Sequence, residues 1–264
     1  MKLKEKIIIL TGAYGGIGSE TARLLLDAGA RVVLVGRNNK KMNDLIEELP
    51  LTDNNIIAVV ADVSLESDRQ KIIDKALSAF GNIDVLINLA GSMSFNEFSQ
   101  EDTETTDRLF QVNVLAPMHL TKMVIPHMVE RGSGQIVNIG SIFGSISFAW
   151  FATYSSTKFA LRGFSEALRR ELDGTGVMVS YIAPRAVRTA FNSDSMTQMC
   201  DHSKTKMDSP SEVAKDIVNA IKLDTKEKYL GFPEKIFVRI NSLFPRLIDK
   251  ALKKQNQQAK KFIN

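Results

Sequence analysis

The sequence predicts an α/β fold: a doubly wound parallel sheet of about seven strands with helices on both faces, plus a C-terminal helical extension. Two observations support this prediction. Short runs of Ile, Val, Leu and Ala alternate with longer segments of helical spacing, which is the element order of a parallel sheet. These runs contain few polar residues, as is typical of strands buried on both faces.

Each predicted element follows from this alternation, and the last strand has the weakest pattern. The strands are Lys6–Thr11, Arg31–Val35, Ile56–Ala61, Ile83–Asn88, Gln135–Gly140, Val177–Ala183 and Lys228–Phe232. The helical segments are Ile17–Asp27, Asn39–Leu49, Ser67–Phe80, Thr103–Glu130, Thr153–Asp173 and Ser211–Leu223. Pro117 and Pro126 predict a bend in the fourth helical segment. Two regions fit no βα unit, Phe191–Asp208 and the chain after Phe232.

The composition is that of a globular protein rather than a disordered or membrane-spanning one. The chain has 264 residues, of which 44% are hydrophobic, and a formal net charge of +4. Cys200 is the only cysteine, which excludes an internal disulfide and favours a reducing, cytoplasmic location. The histidines His119, His127 and His202 lack metal-ligand spacing. We therefore expect no metal and no nucleic-acid partner.

A glycine-rich turn, TGAYGGIG from Thr11 to Gly18, joins the first strand to the first helix. In that context glycines let the backbone approach a pyrophosphate, whose charge the helix N-terminus then meets. A P-loop would need a lysine directly after its second glycine, and none is present. A turn without a ligand is the alternative. The predicted dinucleotide contacts here are Gly12, Tyr14, Gly15, Gly16, Ile17 and Gly18.

Tyr154 and Lys158 are four residues apart, so a helix places them on one face. A phenol has an ordinary pKa of about 10 and is a poor base at neutral pH. Because an ammonium favours the phenolate, we expect Lys158 to lower the pKa of Tyr154 toward neutrality. A helix that merely exposes both side chains is the alternative. The presence of Ser141 after the fifth strand favours a catalytic site.

These motifs occur in the order found in the short-chain dehydrogenase/reductase family, which the chain resembles up to about Phe232. The shared pieces are the T-G-x-x-x-G-x-G turn, Asn88–Gly91, Asn113, Ser141, Y-x-x-x-K from Tyr154 to Lys158, and Pro184–Thr189. Arg185 departs from the pattern, because the family usually has glycine at that position. The resemblance implies a Rossmann-type fold that binds a nicotinamide dinucleotide and moves a hydride to or from a carbonyl carbon.

The resemblance also implies catalytic roles. Tyr154 protonates the forming alkoxide, or accepts the proton in the reverse direction, while Ser141 polarises the carbonyl oxygen. Lys158 binds the ribose hydroxyls. Asn113 holds a water in the proton relay, and its amide could also satisfy backbone groups at a helix bend. The remaining predicted cofactor contacts are Asp62, Val63, Asn88, Ala90, Gly91, Tyr154, Lys158, Pro184, Val187 and Thr189.

The residues after the second strand predict NADP(H) rather than NAD(H). An NAD site commonly has a carboxylate there, about twenty residues past the glycines, which accepts from the ribose 2′-hydroxyl. The segment from Gly36 to Asn38 has none, and Arg37 can pair with a 2′-phosphate. An arginine that is simply on the surface is the alternative.

Apolar residues near the expected site predict an apolar substrate, such as a 3-oxoacyl chain, a steroid-like ketone or a hydrophobic aldehyde. They are Met93, Phe95, Ile142, Phe143, Phe148, Trp150, Phe151, Met196 and Met199. They could equally be core residues. The predicted function is NADPH-dependent carbonyl reduction or the reverse oxidation. A catalytically silent NADP-binding sensor or scaffold is the alternative, and an epimerase or dehydratase of the extended family is disfavoured by the glycine spacing.

We expect residues 1–232 to form the catalytic domain, with a substrate loop over 191–208, and residues 233–264 to form a basic amphipathic extension. Beyond position 234, eight Lys and Arg residues accompany a single Asp. Pro245 divides the extension into two helices. Their apolar residues are Ile236, Phe237, Ile240, Leu243, Phe244, Leu247, Ile248 and Leu252.

Three roles are open for this extension. It could contact an anionic membrane peripherally, cover the substrate pocket, or pack against a second subunit. By resemblance we expect a homodimer or tetramer that pairs through Thr103–Glu130 and Thr153–Asp173.

Overall fold

A computed structural model of the protein describes residues 1–50 and 55–263. Within them, seven strands form one parallel sheet in the order β3-β2-β1-β4-β5-β6-β7. The strands are β1 (Ile7–Thr11), β2 (Arg31–Gly36), β3 (Ile56–Val60), β4 (Val85–Asn88), β5 (Gly134–Ile139), β6 (Val177–Ala183) and β7 (Glu227–Tyr229). The predicted doubly wound fold is confirmed.

Ten α-helices occur in the described residues, and they cover both faces of the sheet and form the extension. They are α1 (Gly16–Asp27), α2 (Asn39–Glu48), α3 (Glu66–Phe80), α4 (Thr103–Phe110), α5 (Ala116–Glu130), α6 (Ala152–Glu171), α7 (Asp194–His202), α8 (Pro210–Lys222), α9 (Glu234–Leu243) and α10 (Pro245–Ala259). No helix in residues 1–50 and 55–263 combines the length and apolar character needed to cross a membrane.

Each face of the sheet has its own apolar core. Ile8 and Leu10 of β1 belong to the core that contains residues of α1 and α8. Ile9, between them, belongs to the opposite core with residues of α3 and α5. Successive strand side chains point to opposite faces, so burial of both faces favours aliphatic residues at most positions. This preference explains the uninterrupted strand sequences.

The order of the strands determines where a ligand can bind. β1 and β4 are neighbours, while β2 and β3 lie on one side of them and β5 to β7 on the other. The chain therefore reverses its winding direction between β1 and β4. In open α/β sheets, the crevice outside the carboxyl ends of the strands at such a point binds ligands.

The fourth predicted helical segment is in fact two helices separated by a π turn over Gln111–Leu115. Pro117 lies in the first turn of α5, and it has no N–H to donate to the carbonyl of Asn113 four residues earlier. Pro126 lies inside α5, which continues to Glu130. The predicted interruption thus takes the form of a wider helical turn.

Two further elements differ from their predicted bounds. β7 spans only three residues, and Gly231, with φ of +94°, turns the chain away shortly after it. The region 191–208, which fits no βα unit, contains the helix α7. The side chain of Ser193 caps α7 by accepting a hydrogen bond from the backbone of Met196.

The extension forms two helices, and Pro245 begins the second, as predicted. Its last residue, Asn264, lies outside the described residues. Val238 and Ile248 are buried against Ile142 and Ile146. Most of the predicted apolar stripe is exposed rather than buried, as the residues Ile236, Phe237, Leu243, Phe244 and Leu247 demonstrate.

Candidate active site

A cavity of about 780 Å³ lies at the carboxyl ends of the strands. Its wall includes every predicted site residue except Asn88 and Asn113. The loops that follow β1 to β6 line one end and the middle of the cavity. Helices α7, α9 and α10 line its other end. Across the described ranges, no cluster of three metal-ligating side chains occurs.

The turn after β1 is built so that only glycine fits at two positions. Gly12 has φ of +71°, and a Cβ there would lie 3.0 Å from the backbone of Ala90. A Cβ on Gly18 would lie 2.2 Å from the carbonyl oxygen of Gly12. Helix α1 begins at Gly16 and has no side-chain cap and no acid in its first turn. Its free N–H groups fit a pyrophosphate.

Beside this turn, Thr11 joins the end of β1 to the end of β4. Its hydroxyl accepts hydrogen bonds of 3.0 Å from the backbone N–H groups of Leu89 and Ala90, and donates one to Ile87. These bonds fix the end of β4 against the end of β1. The sequence places Thr11 in the glycine motif but does not reveal this second function.

The far end of the cavity is positively charged. Arg37 and Lys41 are exposed and line it after β2, together with Asn38. The Asn38 side chain accepts from the backbone of Lys41 and so caps α2. Asp62 and Val63, after β3, line the same part of the cavity. Arg37 is therefore placed where a cation could meet a ribose phosphate.

Ser141, Tyr154 and Lys158 meet in the middle of the cavity wall. Tyr154 is 7% exposed, and its side chain lies beside that of Ser141. The Lys158 ammonium donates to the carbonyl oxygen of Ile139 at 3.1 Å and lies 5.6 Å from the Tyr154 ring centre. The Ser141 hydroxyl accepts from the backbone N–H of Phe143 at 3.1 Å, which fixes the orientation of its side chain.

The pKa values of this pair correct the expectation drawn from sequence. Burial raises the pKa of Tyr154 to about 12, although the neighbouring Ser141 side chain acts in the opposite direction. Burial also lowers the pKa of Lys158 to about 8. Desolvation of the phenolate therefore outweighs the help of Ser141, and Tyr154 keeps its proton at neutral pH. A protonated phenol is suited to donate a proton.

Asn113 and Asn88 make internal hydrogen bonds outside the cavity wall. The Asn113 amide donates to the Ser92 carbonyl and the Thr157 hydroxyl and accepts from the Ser92 N–H. This matches the predicted role of an amide that satisfies backbone groups beside a helix bend. The Asn88 amide donates to the Asn138 side chain at 2.8 Å. Asn88 thus joins β4 to β5, and its side chain does not line the predicted cofactor site.

Sequence reasoning missed Tyr181, because an aromatic residue in a strand resembles any core residue. Its hydroxyl donates to the Ser141 carbonyl at 3.3 Å and accepts from the Ser141 N–H at 3.4 Å. A Cβ on Gly140 or Gly144 would lie within 2.4 Å of the ring or hydroxyl of Tyr181. Burial raises the pKa of Tyr181. The residue holds the Ser141 backbone in place.

The substrate end of the cavity is apolar. The predicted residues that line it are Met93, Ile142, Phe143, Phe148, Met196 and Met199. Phe95, Trp150 and Phe151 do not line the cavity but pack behind it, with Phe95 and Phe151 stacked at 4.7 Å. Phe237 and Leu252 of the extension complete the wall.

Arg185, which departs from the family pattern, anchors the extension. Its guanidinium binds Asp208 before α8 at 2.6 Å and Glu234 at the start of α9 at 3.0 Å. The Arg185 side chain is nearly buried in this network, and the two carboxylates raise its pKa. The substituted arginine thereby ties the base of the 191–208 region to the extension.

Comparison with known proteins identifies the family of this chain independently of the site geometry. Residues 6–199 match the family described as short chain dehydrogenase. An uncharacterized oxidoreductase of Bacillus subtilis is 34% identical over 96% of this chain and 73% of its own. A ketoacyl reductase of Nostoc is 35% identical over 85% of this chain and 78% of its own length. A 3-ketoacyl-(acyl-carrier-protein) reductase of Brucella melitensis, whose crystal structure contains NADH, is 26% identical in sequence. Its structure matches with a TM-score of 0.78 over 86% of this chain and 96% of its own.

Proposed function

The chain belongs to the short-chain dehydrogenase family of oxidoreductases, and on that basis we propose that it reduces the carbonyl group of an apolar substrate with NADPH. The observation that carries this proposal is the group formed by Ser141 with the buried Tyr154 and Lys158, beside an uncapped helix N-terminus and an apolar cavity. Each part has a chemical role in carbonyl reduction.

The chain's own residues supply binding and proton transfer. The glycine turn and the N-terminus of α1 would hold the pyrophosphate, and Lys158 would hold the nicotinamide ribose. When bound, the cofactor supplies the hydride that reduces the carbonyl carbon. Ser141 donates a hydrogen bond to the carbonyl oxygen and stabilises the negative charge that develops there. Tyr154 donates its phenolic proton to that oxygen, which completes the alcohol.

Reduction is the direction that fits the protonation of Tyr154. With a pKa raised to about 12, the phenol is protonated at neutral pH and can act as an acid without a prior step. Oxidation of an alcohol would first require loss of that proton. At neutral pH the phenol is therefore ready to act as an acid, which is the role that carbonyl reduction requires.

The preference for NADPH rests on Arg37. The Brucella relative contains NADH, so the choice is argued from this chain's own residues. Arg37 and Lys41 are both exposed at the end of the cavity after β2, where they can pair with a 2′-phosphate. The segment Gly36 to Asn38 has no carboxylate to accept from a 2′-hydroxyl.

An apolar 3-oxoacyl chain or a hydrophobic ketone fits the substrate end best. Met93, Phe143, Phe148, Met196 and Met199 line it, and unbranched methionine side chains adapt to flexible chains. Two of the relatives are ketoacyl reductases by name, which agrees with this substrate class. Pairing of two copies through α4 to α6 and a cytoplasmic location stay predictions.

The proposal is tested by following NADPH consumption with a panel of apolar 3-oxoacyl thioesters and ketones. Tyr154→Phe should lower kcat by at least about a hundredfold while NADPH affinity is unchanged, because only the transferable proton is removed. Tyr229→Phe is the matched control, since Tyr229 is a partly buried tyrosine outside the cavity wall. If NADPH binds but no substrate is turned over, the chain is a silent sensor or scaffold and the proposal fails.

A further inference from the structure

The outer surface of the extension exposes large apolar side chains to solvent. α9 directs Val238 toward the protein, and its Asn241 side chain donates to the carbonyl of Ser145. A helix that buries this side exposes the opposite one, which carries Ile236 and Leu243. The corner between α9 and α10 is the most exposed part. Leu243, Phe244 and Leu247 are 72%, 59% and 57% exposed there.

This corner, defined here as Leu243, Phe244 and Leu247, is surrounded by positive charge. The exposed cations of α9 and α10 are Lys235, Arg239, Arg246, Lys250, Lys253 and Lys254. The extension has two carboxylates, Glu234 and Asp249, and Glu234 is already paired with Arg185. The surface therefore combines protruding apolar side chains with a nearly uncompensated set of cations.

The position of this surface is fixed by the rest of the protein. Arg185 binds Glu234 at the start of α9, and the Trp150 indole donates to the carbonyl of Asn256 in α10 at 3.0 Å. Together with the bond from Asn241, these contacts hold α9 and α10 at several points along their length. The corner is thus presented outward by the folded protein.

Three occupants can be compared by their chemistry. A second copy bound through the same surface would bring two sets of cations together, which is unfavourable. A nucleic acid would use the cations but would leave the exposed Leu and Phe side chains without an apolar partner. An anionic lipid surface satisfies both, because its acyl region takes the apolar corner and its headgroups pair with Lys and Arg.

We propose that the C-terminal extension docks the protein peripherally on an anionic membrane, with Leu243, Phe244 and Leu247 inserted among the lipids. The inner side of the same extension lines the cavity through Phe237 and Leu252. Docking therefore places the substrate end of the cavity beside the lipid, where apolar molecules concentrate. Only this last consequence rests on the proposed function; the docking itself does not require turnover.

The test is sedimentation of the full chain with phosphatidylcholine vesicles that do or do not contain phosphatidylglycerol. We expect binding only to the anionic vesicles, and weaker binding at high salt because the charges are screened. Leu243→Ser with Phe244→Ser should weaken binding by at least roughly tenfold. The matched control is Phe98→Ser with Leu223→Ser, because these residues are 67% and 76% exposed but lie outside the extension.

A second pair of variants tests the cations. Arg246→Gln with Lys250→Gln should weaken binding by roughly fivefold for each cation removed, whereas Lys75→Gln with Lys122→Gln, also exposed, should have little effect. The docking proposal is overturned if the unchanged protein does not bind anionic vesicles, or if the control variants lose as much vesicle binding as the variants of the extension. It is also overturned if the corner variants dissociate a dimer in solution while vesicle binding is absent. If the unchanged protein binds anionic vesicles but turns over no substrate, the proposed function is contradicted and the docking proposal is not.

Discussion

Replacement of Lys158 by methionine should stabilise the protein in the absence of cofactor. Lys158 lies on α6 and is buried, and burial lowers the pKa of its ammonium from 10.5 to about 8. An unfolded chain keeps that proton up to about pH 10.4. Between these two values the unfolded state binds more protons, so stability rises with pH. At pH 7, the buried ammonium therefore makes the folded state less stable.

The size of this effect follows from the shift. A pKa difference of one corresponds to about 1.4 kcal/mol, so lowering the Lys158 pKa from 10.5 to about 8 costs about 3 kcal/mol at pH 7. Methionine has a similar length and no charge, but it leaves the Ile139 carbonyl without its bond from Lys158, which costs about 1 kcal/mol. The expected net gain is about 2 kcal/mol, or roughly 5 °C in Tm.

The assay is thermal unfolding of the unchanged protein and Lys158→Met from pH 7 to pH 10.5, with exposed Lys122→Met as control. The advantage of Lys158→Met should be largest at pH 7 and shrink as the pH rises from 8 to 10.5. The variant should also lose NADPH binding. A lower Tm for Lys158→Met at pH 7, or a difference that does not change with pH, would refute this reasoning.

Three other changes give further predictions. Arg37→Asp should reverse the ratio of kcat/KM for NADPH and NADH in favour of NADH, because it repels the 2′-phosphate and accepts from a 2′-hydroxyl; an NADH preference before mutation contradicts the argument. Arg185→Gln should lower the free energy of unfolding by about 3 kcal/mol in urea titration, and adding Asp208→Asn should restore part of it. Tyr181→Phe should lower kcat by about tenfold with little change in KM, because the Ser141 backbone loses its support; unchanged kcat refutes that role.

The sequence was sufficient to predict the order of strands and helices and most of the cavity wall. A parallel sheet buried on both faces favours continuous aliphatic strands, and this preference is visible in segments such as Arg31–Val35. The glycine turn and the spacing of Tyr154 and Lys158 are likewise local in sequence. Local patterns of this kind can be read without knowledge of tertiary packing.

Features that depend on tertiary packing could not be predicted. The pKa of Tyr154 is raised because burial outweighs its favourable neighbours, and burial is not visible in a four-residue spacing. The amphipathic pattern of the extension predicts a stripe but not which side meets the protein, which is fixed by contacts of Val238 and Arg185. The role of Tyr181 depends on close approach to Gly140 from a separate strand.

Isotope transfer shows whether this site reduces an apolar carbonyl with NADPH. The measurement is the mass of the alcohol formed from an apolar 3-oxoacyl thioester by NADPH deuterated at both C4 positions of its nicotinamide. We expect an alcohol that carries one deuterium with the unchanged protein, and at least about a hundredfold less alcohol with Tyr154→Phe. Equal amounts of labelled alcohol from both proteins, or none from the unchanged protein with any member of the panel, would contradict it.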